Sequence, residues 1–332
     1  MNQKSKNKVL FILTLLAISS VVLRTIAYSG DIKPAVEFEF NMFYDRNYPQ
    51  PLSFQMREAK LFLDTYISER SGGLIEYVMQ EDFRHGELER LYFVHRELPL
   101  HGQLTIGQFR SPFGYYDAFT VSHSLTKSTE MSPDSALPSF KLRSLDIGAL
   151  WESQTDQYTV SLAIVNGNGI NSLRDDNNFK DIILHTMYSF DKVSVGFNGY
   201  YGRKNSHNSD GSIREYSSVE VSAYGVEMMT VFDDAVVAGE VLIQKYDNKE
   251  SIGGYVMMNY DLTTIVHSLR SVTRVELFDP NRSVSNDTRF QIAQGFRYTI
   301  DRGYTMKLEY IMNLEHQSHQ FNSAFLELEY EL

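Results

Sequence analysis

The chain has 332 residues, and its 42 acidic and 31 basic side chains give a formal charge of −11 at neutral pH. It contains no cysteine, which excludes a disulfide framework and any thiolate metal site. The acidic balance argues against nucleic acid as a partner, because phosphate binding needs a basic surface.

The N-terminal segment has the layout of an export signal. Three lysines precede an apolar run over residues 9–23, and small and polar residues follow up to Ala27. This order predicts a secretory signal peptide over residues 1–27. The alternative is a single membrane-anchoring helix, since an apolar run of about 15 residues is long for a signal peptide. No other window approaches the length of a membrane-spanning helix, so residues 28–332 are predicted to form one domain without a helical bundle in the membrane.

The remainder of the chain shows strand periodicity. Alternation of apolar and polar residues, aromatic and β-branched enrichment, and Gly, Asn and Asp punctuation predict about sixteen β-strands. The pattern is clearest over residues 303–332, and a phase slip near Gly225 suggests a bulge. The predicted spans are 35–45, 54–67, 73–82, 87–97, 102–110, 144–153, 157–165, 181–190, 193–203, 216–231, 235–246, 252–261, 265–278, 288–300, 303–315 and 320–332.

The connections between these strands differ in length by parity. Those after even-numbered strands are short, whereas several after odd-numbered strands are long: 111–143, 166–180, 204–215 and 279–287. Short turns on one side and longer loops on the other are typical of an antiparallel transmembrane β-barrel with both termini in the periplasm. The sequence therefore predicts an all-β barrel in the outer membrane of a Gram-negative bacterium.

Strand phase assigns charged side chains to the lumen. An Arg or Lys facing the bilayer midplane would cost about 2–4 kcal/mol, so charges are expected to face water inside the barrel. On the later strands this predicts a basic arc made of Arg270, Arg274, Arg297 and Lys307. Because the last strand must pair with the first, an acidic arc is predicted beside it, made of Glu327, Glu329, Glu331, Glu37 and Glu39. Such arcs would filter solutes by charge, although each charge alone could equally be a solvated wall residue.

The longest connection, residues 111–143, is rich in Ser, Thr, Pro and aromatic residues. Loops of this length in a compact architecture are usually functional, and we expect this third loop to fold into the lumen and narrow it. The alternative is an external surface loop. The candidate constriction residues are Arg110, Lys127, Lys141 and Arg143, beside the acidic Asp117 and Glu130.

Three stretches carry a family resemblance: residues 107–114 (GQFRSPFG), 164–169 (IVNGNG) and 274–281 (RVELFDPN). In this order they resemble the phosphate- and polyphosphate-selective porins of Gram-negative outer membranes. The resemblance implies a homotrimeric porin, without cofactor, through which small hydrophilic solutes or ions diffuse. It implies a preference for anions such as phosphate. It also implies contact with outer-membrane lipid and with the barrel assembly machinery, which commonly reads a terminal Phe where this chain has Leu332.

Two other functions remain open beside the porin. His316 and Ser318 have a spacing that would suit an acyl hydrolase on the barrel rim, although no third catalytic member follows. A surface receptor or adhesin with a closed lumen is the other alternative. The acidic residues at 175–181 could offer oxygen ligands to Ca²⁺, but their spacing matches no known calcium loop. We therefore predict no enzyme and no metal site.

Overall fold

The computed structural model shows a closed β-barrel of sixteen strands. Each strand pairs antiparallel with its neighbours in sequence, and β1 pairs with β16 to close the barrel. Within the described residues, no helix has the length and hydropathy that crossing a membrane requires. The structure describes residues 31–45, 52–80, 85–114, 145–167, 179–207, 213–285, 287–301, 304–315 and 323–331, so the predicted signal peptide over residues 1–27 lies outside it.

The described strands have the following bounds: β1 Asp31–Asp45, β2 Leu52–Ser68, β3 Ser71–Gln80, β4 His85–Leu98, β5 Gly102–Arg110, β6 Leu145–Gln154, β7 Tyr158–Val165, β8 Asp181–Phe190, β9 Val193–His207, β10 Ile213–Val231, β11 Ala235–Tyr246, β12 Lys249–Asp261, β13 Leu269–Asp279, β14 Arg289–Asp301, β15 Tyr304–Glu315 and β16 Ser323–Glu331. A single 3₁₀ turn, Pro99–His101, connects β4 to β5. The predicted architecture and strand count are confirmed.

The closure of the barrel pairs the first and last strands, as predicted. Glu39 lies directly opposite Glu329, and Glu37 lies directly opposite Glu331. The backbone pairing therefore brings the two acidic stretches of the first and last strands together. This juxtaposition was expected because a barrel without edges must pair its terminal strands.

Three predicted details are wrong. The connection predicted at 204–215 is short, because β9 runs to His207 and β10 begins at Ile213. The strand predicted from residue 265 begins at Leu269, because Ile265 and Val266 both donate their backbone N–H to Leu262 O in a tight turn. No bulge occurs at Gly225, which pairs in regular register with both neighbouring strands; the irregularity lies between Ile213 and Ser218.

Outward and inward side chains alternate as period-two strands require. On β15, Tyr304, Met306, Leu308 and Tyr310 are exposed on the outer face, whereas Thr305, Lys307, Glu309 and Ile311 are buried on the inner face. The outer apolar stripe is the surface that lipid would cover. This alternation agrees with the predicted faces of β15.

The hydrophobic core lies on the inner face of the wall. On β7, β8 and β10 its fully buried members are small or β-branched, namely Ala163, Val165, Ile183, Val221 and Ala223. The outward neighbours on these strands, Ile164, Ile182 and Tyr224, are exposed. The sequence assigned charged side chains to the lumen. The inner face of these strands carries apolar residues as well. This inner apolar stretch also explains the apparent phase slip near Gly225, since small apolar residues there face inward.

Candidate functional site in the barrel interior

The third loop begins inside the barrel. Its first four residues, Ser111–Gly114, follow the end of β5 and are all buried. The Gly114 backbone N–H donates a 2.9 Å hydrogen bond to Asn198 Oδ1, although the two residues are 84 positions apart. The Phe113 ring packs edge-on against the Tyr200 ring, with 6.2 Å between centroids. We call Ser111–Gly114 the loop base; it contacts the inner face of β9, four strands away from β5.

Asn198 is the centre of a buried polar network. Its Nδ2 donates to Glu227 Oε2 at 2.9 Å and reaches Glu240 Oε1 at 3.4 Å. His185 Nε2 lies 2.7 Å from the other oxygen of Glu227. These four side chains are each at most 3 % exposed. We call His185, Asn198, Glu227 and Glu240 the Asn198 network; it joins β8, β9, β10 and β11 to the loop base.

Glycines make room for this network. Gly196 lies directly opposite Glu227, and a Cβ built at Gly196 would lie 2.6 Å from Glu227 Cγ. Gly114 has φ +81°, and a Cβ there would lie 2.9 Å from Glu240 Oε1. A side chain at either position would push into a carboxylate, and at Gly114 it would also require a left-handed backbone. The local sequence is therefore suited to buried acids in contact with the loop base.

Asp181 forms a second buried polar contact on the same part of the wall. The Tyr200 hydroxyl and the Arg203 backbone N–H, the latter at 3.1 Å, both donate to this carboxylate. Asp181, which belongs to the acidic stretch considered for Ca²⁺, is thus a hydrogen-bond acceptor within the wall. The other acidic members of that stretch lie outside the described residues, and the described part of the chain contains no group of three metal-type ligands.

The strands β13, β14 and β15 carry five basic and five acidic residues, and three of the basic ones lie side by side. Strand pairing places Arg270 directly opposite Arg297, and Arg297 directly opposite Lys307. Arg270 Nε lies 3.9 Å from Asp261 Oδ2. Nearer the barrel's mid-height, Arg274 Nε lies 3.7 Å from Glu276 Oε2, and both side chains are buried. The strand register therefore produces a row of three cations, which we call the basic row: Arg270, Arg297 and Lys307.

The predicted site residues fall into three groups. Arg274 and Lys307 are buried on the inner face, Arg297 is half-buried there and Arg270 is exposed. Arg110 ends β5 and alternates with Phe109, whose side chain belongs to the interior core, so Arg110 lies on the other face of that strand. The rest lie outside the described residues: Asp117, Glu130, Lys127, Lys141, Arg143, and the pair His316 and Ser318.

Sequence reasoning missed the Asn198 network. Part of its signal was present, because strand register places His185 directly opposite Asn198 and Glu240 directly opposite Glu227, all on the inner face. A polar side chain in such surroundings is expected to find a hydrogen-bond partner in the chain. The contact between His185 and Glu227, which skips a strand, and the contact of Asn198 with the loop base could not be assigned from sequence.

Comparisons with known proteins agree with this architecture. Residues 145–325, more than half of the chain, match a family model described as "Putative beta-barrel porin-2, OmpL-like". No functionally characterised protein in a curated set matches the chain in sequence.

Several solved outer-membrane structures are similar in fold. The trimer form of in-vitro folded OmpT, an outer membrane protein of Vibrio cholerae, is 11 % identical with a TM-score of 0.69, over 91 % of this chain and 99 % of that one. OmpF of Salmonella typhi in complex with daunomycin is 12 % identical with a TM-score of 0.68, over 91 % and 97 %. An anion-selective porin from Comamonas acidovorans is 7 % identical with a TM-score of 0.67, over 92 % and 100 %. At these identities the likeness establishes the fold.

Proposed function

Because the chain belongs to the OmpL-like β-barrel porin family, we propose that it lets small hydrophilic solutes or ions diffuse passively across the outer membrane. The exposed apolar outer face supports a transmembrane position. The polar residues of the inner face support an aqueous path. The proposal involves no catalytic step and no cofactor.

The observation that supports solute passage best is the basic row. Like charges placed directly opposite each other on paired strands destabilise a sheet. Arg270, Arg297 and Lys307 nevertheless occupy directly paired inward positions. A positive stretch along a narrow aqueous path would attract anions and repel cations. We therefore assign these residues, together with Arg274, to the lining of the path.

The basic row favours anions as the preferred solutes. The acids of the Asn198 network accept hydrogen bonds from the chain itself, so their negative charge is partly balanced by donors at short range. In the basic row, Arg270 is exposed, and its ion pair with Asp261 is long, at 3.9 Å. For this reason we include in the proposal a selectivity for anions such as phosphate, which the sequence resemblance implies.

A homotrimer is the proposed assembly. The sequence resemblance implies it, and one of the structures similar in fold was described in a trimer form. Chemical cross-linking of the protein in outer membranes, followed by denaturing electrophoresis, tests this directly. We expect bands up to three times the monomer mass and no larger ladder.

A receptor or adhesin with a closed lumen is the second candidate function. The near-complete burial of interior side chains such as Arg274 and Glu309 favours it, because a wide water-filled path would leave them exposed. The two candidates differ in one measurable property, which is whether solutes cross the folded barrel.

Swelling of proteoliposomes tests the proposal. The folded protein is reconstituted into vesicles that are diluted into isosmotic solutions of a neutral pentose or of a neutral tetrasaccharide. We expect rapid swelling in the pentose and slow swelling in the larger sugar, since a narrowed barrel admits small solutes only. Absence of swelling in both sugars, with circular dichroism showing a folded β-protein, would overturn the porin proposal and favour the receptor.

A further inference from the structure

We propose that Asn198 is the positioning residue that holds the loop base inside the barrel, and that Glu227 and His185 fix its orientation. The inference deepens the proposed function and rests on it in one respect: a loop base held in one place would keep the conductance of the path steady. The contacts themselves do not depend on whether the barrel conducts.

The carboxamide of Asn198 has the chemistry that this position needs. Its Oδ1 accepts the Gly114 backbone N–H, while its Nδ2 donates to Glu227. An amide is the side-chain group that offers an acceptor and a donor on adjacent atoms at any pH. A carboxylate would keep the acceptor and lose the donor, and an apolar side chain would lose both.

The carboxylates around Asn198 determine which way its amide points. Turning the amide over would place Oδ1 against Glu227 Oε2 and Glu240 Oε1, which are 2.9 Å and 3.4 Å from the present nitrogen. It would also place Nδ2 against the Gly114 N–H, so that two donors would face each other. Either contact is repulsive, and burial makes it more so because little water is present to screen it.

His185 completes the arrangement from the neighbouring strand. Its Nε2 is hydrogen-bonded to Glu227 Oε1, whereas Asn198 donates to Oε2, so both oxygens of this buried carboxylate have a partner. Glu227 is thereby held with one oxygen toward Asn198. The contacts run from His185 on β8 through Glu227 on β10 to Asn198 on β9, and they end at the loop base. Gly114 in the loop base is 84 positions from Asn198 in sequence.

The sequence of the loop base allows its contact with Asn198. Gly114 adopts φ +81°, which places its N–H toward Asn198 without a side chain meeting Glu240. Phe113 adds an apolar contact with Tyr200, two residues from Asn198 on the same inward face of β9. Both features bring the same four residues to the same part of the wall.

A cysteine reporter tests the anchor. The wild-type chain has no cysteine, and Ser111 is buried in the loop base, so S111C introduces one nearly isosteric thiol there. The reaction rate of this thiol with a water-soluble maleimide measures how often the loop base leaves the wall. We expect slow labelling of S111C in the full-length barrel. Adding Asn198→Ala should raise the rate about tenfold, because the Gly114 N–H and Glu227 lose their shared partner.

The matched control removes an amide elsewhere on the wall. Gln294 lies on the outer face, where Thr273 Oγ1 donates to it at 2.6 Å and it donates to Ser271 Oγ at 3.0 Å. Gln294→Ala in the S111C chain should leave the labelling rate unchanged. Equal rates for S111C and S111C with Asn198→Ala would overturn the inference.

A second variant separates positioning from packing. Asn198→Asp is isosteric, but its carboxylate would face Glu227 on β10 and Glu240 on β11, with His185 directly opposite it on β8. We expect fast labelling at neutral pH and a return toward the slow rate in acid, because the introduced carboxyl, once protonated, can donate to Glu227 and still accept from Gly114. The S111C parent supplies the baseline at each pH. A rate that does not change with pH beyond this baseline would contradict the inference.

Single-channel conductance of the same proteins distinguishes this inference from the proposed function. Steps with larger current noise in Asn198→Ala would support both. Faster labelling in a barrel that gives no steps would retain the anchor and overturn the porin proposal. Steps in every variant with unchanged labelling would retain the porin and overturn the anchor.

Discussion

Two sectors of the inner wall use charge in different ways. In the acidic sector, on β8 to β11, Asp181 and Glu227 accept hydrogen bonds from Tyr200, His185 and Asn198. In the basic sector, on β13 to β15, strand register sets three cations side by side. The acidic sector thus connects the strands and the loop base, whereas the basic sector is the part that we propose acts on solutes. The formal charge of −11 describes neither role.

The largest effect is expected at the buried ion pair of the basic sector, between Arg274 and Glu276. Removing one partner of a buried pair strands the other charge, which costs about 3–5 kcal/mol. Arg274→Met should therefore lower the free energy of unfolding by about this amount, because Glu276 is buried with it. Urea unfolding in lipid vesicles, followed by the fluorescence of the single tryptophan, measures the change. A loss below about 1 kcal/mol would show that Glu276 is compensated by other groups.

A smaller loss is expected where the loop base meets the acidic sector. Gly114→Ala places a methyl group 2.9 Å from Glu240 Oε1 at φ +81°, so we expect a loss of about 1–3 kcal/mol in the same unfolding assay. Gly199→Ala is the matched control, since its Cβ would meet only the Phe197 ring, at 3.5 Å. Equal stability of the two variants would contradict the close contact between Gly114 and Glu240.

A smaller effect is expected on ion selectivity, in which the two sectors should differ. Lys307→Gln should reduce the ratio of chloride to potassium permeability by roughly twofold, because one charge of a local field is removed. Glu240→Gln should raise that ratio by less, since this acid belongs to the Asn198 network. Reversal potentials in a KCl gradient give both ratios. A larger effect of Glu240→Gln than of Lys307→Gln would reverse the roles assigned to the two sectors.

The smallest effect is expected outside both sectors. Lys192 and Asp233 form a 3.0 Å ion pair at exposed turns, where solvent and salt weaken the attraction. Lys192→Met should change the free energy of unfolding by at most about 0.5 kcal/mol and leave the reversal potential unaltered. A change in selectivity here would mean that charges outside the barrel interior govern ion preference.

The sequence was most informative where lipid imposes a rule. Apolar residues must alternate outward along every spanning strand, and β15 shows that pattern in full. Closure of the barrel likewise predicted that Glu39 and Glu329 lie near each other, and they are direct partners. Beyond the bilayer the rule no longer applies, so the polar end of β9 at His207 looked like a loop although the strand continues. The apolar Ile265 looked like strand but lies in a turn.

The Asn198 network could not be predicted for a different reason. Period-two alternation says which residues face inward, but it does not say whether water or another part of the chain meets them. Asn198 and Gly114 are 84 residues apart, and no local pattern connects them. The inward apolar residues of β8 and β10, such as Ile183, Val221 and Ala223, were the available hint, since a water-filled wall would not need them.

Single-channel recording of the wild-type protein in a planar bilayer with a KCl gradient tests the central claim most directly. The claim is that the barrel interior is a continuous path whose ion preference is set by the basic sector. We expect stepwise conductance and a reversal potential with the sign of anion preference. A folded and inserted barrel without current steps, or one with clear cation preference, would contradict the claim.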